Sequence, residues 1–165
     1  MLSKENLADL LINDVESFNQ EIDGSAIDMS ELDFSGLHVE GAIFNNVDLT
    51  SSSFTDSNLV EVKFINCDLT SVDFTRARVL ECDFTDALLT GADCSYAEMT
   101  YCNFSDADMA GAILSETDLS NSDLTAAVNL HASRYDEDTI WPDDDLLPED
   151  FDGASHRDLS ALQDD

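Results

Sequence analysis

The sequence predicts an all-β solenoid, a chain wound into a square coil of about five turns with a helical cap at its N-terminal end and an irregular cap at its C-terminal end. Three observations predict it. Residues 27–126 divide into twenty consecutive five-residue blocks without an insertion, the third residue of every block is apolar, and phenylalanine recurs at Phe34, Phe44, Phe54, Phe64, Phe74, Phe84 and Phe104.

The blocks open with Ile27-Asp-Met-Ser-Glu and Leu32-Asp-Phe-Ser-Gly and close with Ser122-Asp-Leu-Thr-Ala. First residues are small or apolar (Ile, Leu, Val, Ala, Cys, Ser or Thr), second residues are most often Asp, and fourth residues are mostly Ser or Thr. Residues two apart on an extended segment point the same way, so the first and third residues of a block share a side. The gap of three that follows fits neither an unbroken strand nor an α-helix over a hundred residues. A short extended piece followed by a corner, always turned the same way, keeps all these residues inside. The recurrence of phenylalanine at tens becomes a set of regular columns when one coil takes four blocks. Phe34, Phe54 and Phe74 then share one column, and Phe44, Phe64, Phe84 and Phe104 the opposite one. Two bulky faces alternating with two thinner ones fill a square interior evenly. Three blocks per coil would mix aromatic and aliphatic residues in each column, so the spacing favours four.

Blocks such as Ala107-Asp-Met-Ala-Gly, Thr117-Asp-Leu-Ser-Asn and Ser122-Asp-Leu-Thr-Ala carry a pattern that resembles the Ala-Asp/Asn-Leu-x-x motif of the pentapeptide-repeat proteins. The resemblance covers about 100 of the 165 residues and implies a right-handed quadrilateral β-helix. It implies no single function, because that fold serves many proteins. Some members resemble duplex DNA in width and charge and occupy the DNA-binding groove of type II topoisomerases such as gyrase. Members with projecting loops between coils depart from the uninterrupted series found here.

The flanks complete the organisation. Residues 1–26 read as an N-terminal helix cap and lead-in: Ser3 is a candidate N-cap, and Leu7, Leu10, Leu11, Val15 and Phe18 line one helical face over residues 3 to about 20. An open solenoid end exposes unpaired backbone and core, which is what such a face would cover. Residues 127–151 lose the five-residue pattern and scatter Leu130, Tyr135, Ile140, Trp141, Leu146, Leu147 and Phe151 among acids and two prolines. They read as a C-terminal capping segment and, alternatively, as a place for two copies to pair end to end. Residues 152–165 read as an acidic, mobile tail.

Composition narrows the function. With 37 Asp+Glu against 6 Lys+Arg, the formal charge of −31 excludes direct binding of nucleic acid or of an anionic membrane. No long apolar run and no basic-then-apolar leader is present, so a cytoplasmic location is expected. His38, His131 and His156 have no metal-ligand spacing. Cys67, Cys82, Cys94 and Cys102 occupy inward positions, where cysteine acts as a small hydrophobe. Cys82 and Cys102 stack one coil apart, but a reducing compartment and parallel stacking disfavour a bridge. A coil filled with Phe and Leu offers no cleft for a catalytic pair, so no catalytic residue, cofactor or metal is assigned and the chain is expected to be non-enzymatic.

A protein partner is what remains. Of the 37 acids, 6, 19 and 12 fall in residues 1–26, 27–126 and 127–165, against 1, 3 and 2 basic residues, so the coil carries −16. Ten of its 19 acids are Asp at the second position of a block, where a short carboxylate bonds nearby backbone at corners. Duplex DNA carries one charge per roughly 1.7 Å, about 14 over the roughly 24 Å of five coils, close to the coil's own charge. The specific expectation is therefore a DNA-mimic-like ligand of a DNA-binding protein such as gyrase. Glu61, Glu81 and Glu98, outside the structural Asp set, are its candidate contacts. The alternative is a rigid scaffold recognising a protein through exposed apolar residues, with Val60 and Leu80 in one column and Tyr101 beside them, or through the C-terminal segment.

Overall fold

A computed structural model describes residues 3–22, 24 and 26–151. The predicted acidic tail, together with His156, lies outside the described residues.

The five-residue blocks wind into a coil that repeats every twenty residues, with all strand pairing parallel: Ile27 lies beside Val47, and His38, Asn58, Arg78 and Glu98 follow one another up one face. Strands are two or three residues long. β1 (Ile27–Asp28) pairs with β3 (Val47–Asp48), while β2 (His38–Glu40), β4 (Asn58–Val60), β5 (Arg78–Leu80) and β6 (Glu98–Thr100) form the one four-stranded sheet among the described residues. Elsewhere the faces are held by single bridges in the same register, from Asp33 beside Ser53 to Asp118 beside Ile140.

Corners follow from backbone sterics. Every fifth residue of a block from Glu31 to Asn121 has positive φ, including bulky Arg76, Tyr96 and Tyr101. At most corners the first residue of the next block donates its N–H to the third residue's carbonyl, as Leu37 does to Phe34 and Ala77 to Phe74. A bond spanning three residues with positive φ at the third turn position defines the type II turn. Glycine fits that position without strain, yet only Gly36, Gly41, Gly91 and Gly111 supply it in the coil. Stacking of one corner on the next holds the other residues there.

Every third-position residue is buried, and so is every first-position residue except half-buried Leu32. Phe34, Phe54 and Phe74 stack at ring-centroid spacings of 5.0 and 5.3 Å; Phe44, Phe64, Phe84 and Phe104 stack at 5.0 to 5.1 Å. The two columns meet edge-to-face across the middle at 5.8 to 6.3 Å, the arrangement ring quadrupoles prefer.

Two corrections concern the flanks. The predicted single N-terminal helix is two, α1 (Lys4–Asn13) and α2 (Val15–Glu21), because Asp14 leaves the helical region and its carboxylate accepts from the Ser17 N–H as the N-cap of α2. Ser3 caps α1. Leu7, Leu11 and Phe18 are buried, and the Phe18 ring lies 5.1 Å from Phe44 at the foot of its column. Asn19 donates to the Gly41 carbonyl and accepts from the Ile43 N–H, satisfying backbone at the first coil's open edge. The second correction is at the other end: the pattern stops after Ala126, but the ladder does not. The N–H groups of Met109, Leu114, Leu119 and Leu124 donate to the carbonyls of Val128, Arg134, Ile140 and Leu146, so an irregular sixth circuit lies on the fifth. Tyr135, Trp141 and Phe151 pack together beside it at 4.9 to 5.9 Å.

Candidate interaction surface

With the interior filled, any site lies on the outside. Face 1 carries β1 and β3, and faces 2, 3 and 4 follow in chain order; face 3 is the four-stranded sheet. The sequence-derived candidates converge there. Val60 and Leu80 are register partners on β4 and β5, both half-buried. Glu98 lies on β6, 3.4 Å from the Arg78 guanidinium. Glu61, Glu81 and Tyr101 climb the edge that follows face 3, linked because the N–H of Glu61 donates to the Leu80 carbonyl and that of Glu81 to the Thr100 carbonyl.

The opposite edge went unassigned in the sequence. Asp56, Arg76, Tyr96 and Glu116 are fifth residues spaced by twenty and stack there. Arg76 holds Asp56 through two hydrogen bonds of 2.7 and 2.8 Å, which lowers the Asp56 pKa and raises that of Arg76. Tyr96 and Tyr101, 56% and 59% exposed, bracket β6 on its two sides. Their spacing of five around one block was the available signal. Ile43 and Ile65, by contrast, lie on face 4 and are half-buried.

All ten second-position aspartates, from Asp28 to Asp123, accept a hydrogen bond from the N–H of the fourth residue of their own block, at 2.8 to 3.1 Å. Asn103 does the same with Ser105. At Asp28 and Asp33 the hydroxyl and N–H of the neighbouring serine hold the carboxyl below its ordinary range. At Asp73 burial pushes upward, but bonds from Thr75 and Thr55 together with the Arg76 charge outweigh it and the net shift is down. These acids buttress corners and still place charge on every face.

The inward cysteines do more than the apolar role expected of them. At several corners the direct turn bond is missing, and a side chain one coil above takes its place. Cys67, Cys82 and Cys102 direct their thiols to the carbonyls of Phe44, Leu59 and Val79. Ser52 and Ser122 bridge both turn partners, donating to the carbonyls of Met29 and Met99 and accepting from the N–H groups of Leu32 and Cys102. Burial raises the Cys67 and Cys94 thiols to about 12, so neither is a nucleophile at neutral pH. All four cysteines are buried and unbridged. Among the described residues no group of three or more His, Cys, Asp or Glu side chains is placed to hold a metal ion, and no helix is long and apolar enough to cross a membrane.

These observations define a closed repeat solenoid, its interior filled by its own side chains and its charged residues on the outer faces. The chain belongs to the pentapeptide repeat family: the family model matches residues 27–64, 67–101 and 102–133, with eight copies. Its fold is accordingly the right-handed β-helix solenoid of that family. A pentapeptide repeat protein of the cyanobacterium Cyanothece 51142, Rfr23, is similar over 76% of this chain and 96% of its own, at 19% identity and a TM-score of 0.52. One from the Arabidopsis thaliana thylakoid lumen is 28% identical over 63% of this chain and 66% of its own, with a TM-score of 0.37. QnrB1, a plasmid-mediated fluoroquinolone resistance protein, is 17% identical over 74% of each chain, with a TM-score of 0.37. The chain thus spans about two thirds of the thylakoid protein's length. No curated protein sequence matches it significantly.

Proposed function

We propose that this chain is a non-catalytic protein-binding module whose acidic coil occupies the basic groove of a DNA-binding protein, with a type II topoisomerase such as gyrase as the specific candidate. The observation that supports this reading is the distribution of charge. Acids stand on all four faces of an unbroken coil, while its two arginines are already paired, Arg76 with Asp56 and Arg78 with Glu98. A basic groove therefore meets net negative charge whichever way the rod lies. The rod ends at the helical pair on one side and the sixth circuit on the other, and both act as caps.

The test exploits the corner aspartates. Asn103 shows that an amide oxygen makes the corner bond as well as a carboxylate does. Changing the ten second-position aspartates to Asn should keep the fold and remove ten negative charges. Purified gyrase on labelled duplex DNA is then titrated with either protein. The wild type should displace DNA, less so as salt rises, and the ten-Asn variant should be at least tenfold weaker. Equal displacement by both, or none by the wild type, refutes mimicry.

A second reading, a scaffold recognised through face 3, is favoured by the convergence of Val60, Leu80, Tyr96 and Tyr101 there. Contacts dominated by apolar anchors persist as salt is added, which separates the two readings in the same titration.

A further inference from the structure

The cap at the N-terminal end is incomplete below face 3. In the coil, the N–H and C=O groups of the second and fourth residues of a block point to the coil below: Asn58 donates to the Leu37 carbonyl, and the Val60 carbonyl accepts from the Gly41 N–H. In the first coil these groups have no coil beneath them and need other partners. On faces 1 and 2 the fourth-residue N–H groups, those of Ser30 and Ser35, are held by Asp28 and Asp33 of their own blocks, and Lys4 reaches the Ser30 carbonyl. On face 4 Asn19 accepts from the Ile43 N–H. Face 3 has His38 where a corner aspartate would stand, and its block is the strand β2, the lower edge of the four-stranded sheet. Both downward N–H groups of β2, at His38 and Glu40, and both of those residues' carbonyls have no partner among the described residues. α1 packs near β2 and bonds none of these four groups. The core is thinly sealed here as well: Leu37 and Val39 are 9% and 6% exposed, against 0% for Met29 and Phe44. A shallow groove of about 220 Å³ opens beside them, lined by His38, Val39, Glu40, Asn58 and Val60.

We propose that β2 is a docking edge for an extended basic segment of a partner protein, which adds a fifth strand below the sheet and runs parallel to it. The ladder above sets the register. As Leu37, Val39 and Gly41 meet Asn58 and Val60, the first and third residues of the segment offer carbonyls to the His38 and Glu40 N–H groups. Its third and fifth residues donate to the His38 and Glu40 carbonyls, which makes four backbone bonds. The first and third side chains then point inward beneath Leu37 and Val39 and call for apolar residues. The second and fourth point outward beside His38 and Glu40. Charge defines the rest of the segment. Residues 1–46 hold ten Asp and Glu against one lysine, Lys4, and that lysine is bound to the Ser30 carbonyl. Lys or Arg at the fourth position of the segment meets Glu40 directly. The site lies at the end of the rod and does not depend on what its sides occupy.

Amide exchange of the full chain, followed by NMR, tests the proposal with an acetylated and amidated hexapeptide of alternating valine and lysine, valine first. A Kd of about 100 μM slows exchange about tenfold at about 1 mM peptide. The His38 and Glu40 N–H groups should slow by about that factor, and those of Asp28 and Asn45, on the lower edges of other faces, should not change. The same peptide N-methylated at its third residue keeps its charge, loses the donor to the His38 carbonyl and should slow neither group. A peptide with glutamate in place of lysine should also slow neither. His38→Pro removes a donor that the folded chain leaves unpaired, so it should melt as the wild type does and reduce the slowing at Glu40 at least fivefold. If that variant disturbs the fold by circular dichroism, the N-methylated peptide decides. No slowing by the lysine peptide, equal slowing by the N-methylated or glutamate peptide, or equal slowing at Asp28 and Asn45 each overturns the proposal. Slowing that sets in with protein concentration alone, without peptide, assigns the edge to a second copy of the chain and overturns it as well.

Discussion

The fifth and sixth circuits of the coil lie one on the other and obey different rules. Residues 107–126 keep the five-residue metre, with first and third residues buried throughout. Residues 128–146 accept the same ladder of hydrogen bonds from below with no metre, a short 3-10 helix at Leu130–Ala132 and another at Asp144–Leu146. The difference teaches that a circuit needs the repeat only where it must be stacked on from both sides. Among the described residues the sixth circuit is stacked on from below, and its Tyr135, Trp141 and Phe151 rings gather into a cluster beside it.

The largest effect expected is on the regular side. Phe64 is fully buried between Phe44 and Phe84 and edge-on to Phe54 and Phe74. Phe64→Asp puts an unpaired charge there and should cost more than about 4 kcal/mol, abolishing cooperative melting in circular dichroism. In the sixth circuit Trp141→Ala should cost about 3 kcal/mol and act locally. Hydrogen exchange should quicken at the Leu119 and Leu124 N–H groups, which donate to Ile140 and Leu146, and stay unchanged at that of Phe64. Equal quickening at all three sites would show that the two circuits unfold as one unit.

That contrast sets how much was legible in the sequence. Small or apolar residues at position one and apolar ones at position three, repeated twenty times, call for the regular coil, and phenylalanine at tens favours its four-block circuit, which sets ring on ring in two columns. The sixth circuit was read as a mere cap since its backbone bonds leave no periodic trace in side chains. Asp14 was hidden for a related reason: a carboxylate inside an apolar periodicity looks like an exposed helical residue until its cap bond to Ser17 is seen. On the surface, Val60, Leu80 and Tyr101 were found by column arithmetic. Arg76 and Tyr96 were left out of the patch because it was sought among neighbours of apolar residues, and the far edge of face 3 lies a full block away.

A middle-sized effect probes the corners that lack a direct turn bond. Ser122 is fully buried and its hydroxyl joins the Met99 carbonyl to the Cys102 N–H. Ser122→Ala leaves both backbone groups unpaired and should cost about 1 to 3 kcal/mol, read as a lowered urea midpoint. Ser122→Cys should recover part of it, since cysteines fill the equivalent role two and one coils below. A neutral Ser122→Ala would mean that those carbonyls find other partners.

The smallest effects separate charge from structure at the regular corners. Asp73→Ala removes the acceptor for the Thr75 N–H and should cost about 1 kcal/mol, whereas Asp73→Asn keeps it and should cost a few tenths at most. Protonation offers the same comparison without mutation. At Asp28 and Asp33 the folded-state pKa lies below the ordinary carboxylate value, because Ser30 and Ser35 bond the charged form. A depressed pKa means stability that is present above the unfolded value, near 4, and lost as pH falls through the folded one. Asn at both positions does not titrate. The stability difference between wild type and the double Asn variant, measured by urea denaturation, should therefore be constant from pH 7 to about 5 and shift against the wild type below about 4. Added salt at pH 7 weakens the repulsion among the 37 acids and leaves the short corner bonds in place. A difference that followed salt and ignored pH would assign these aspartates to repulsion alone and take away their role in the corners.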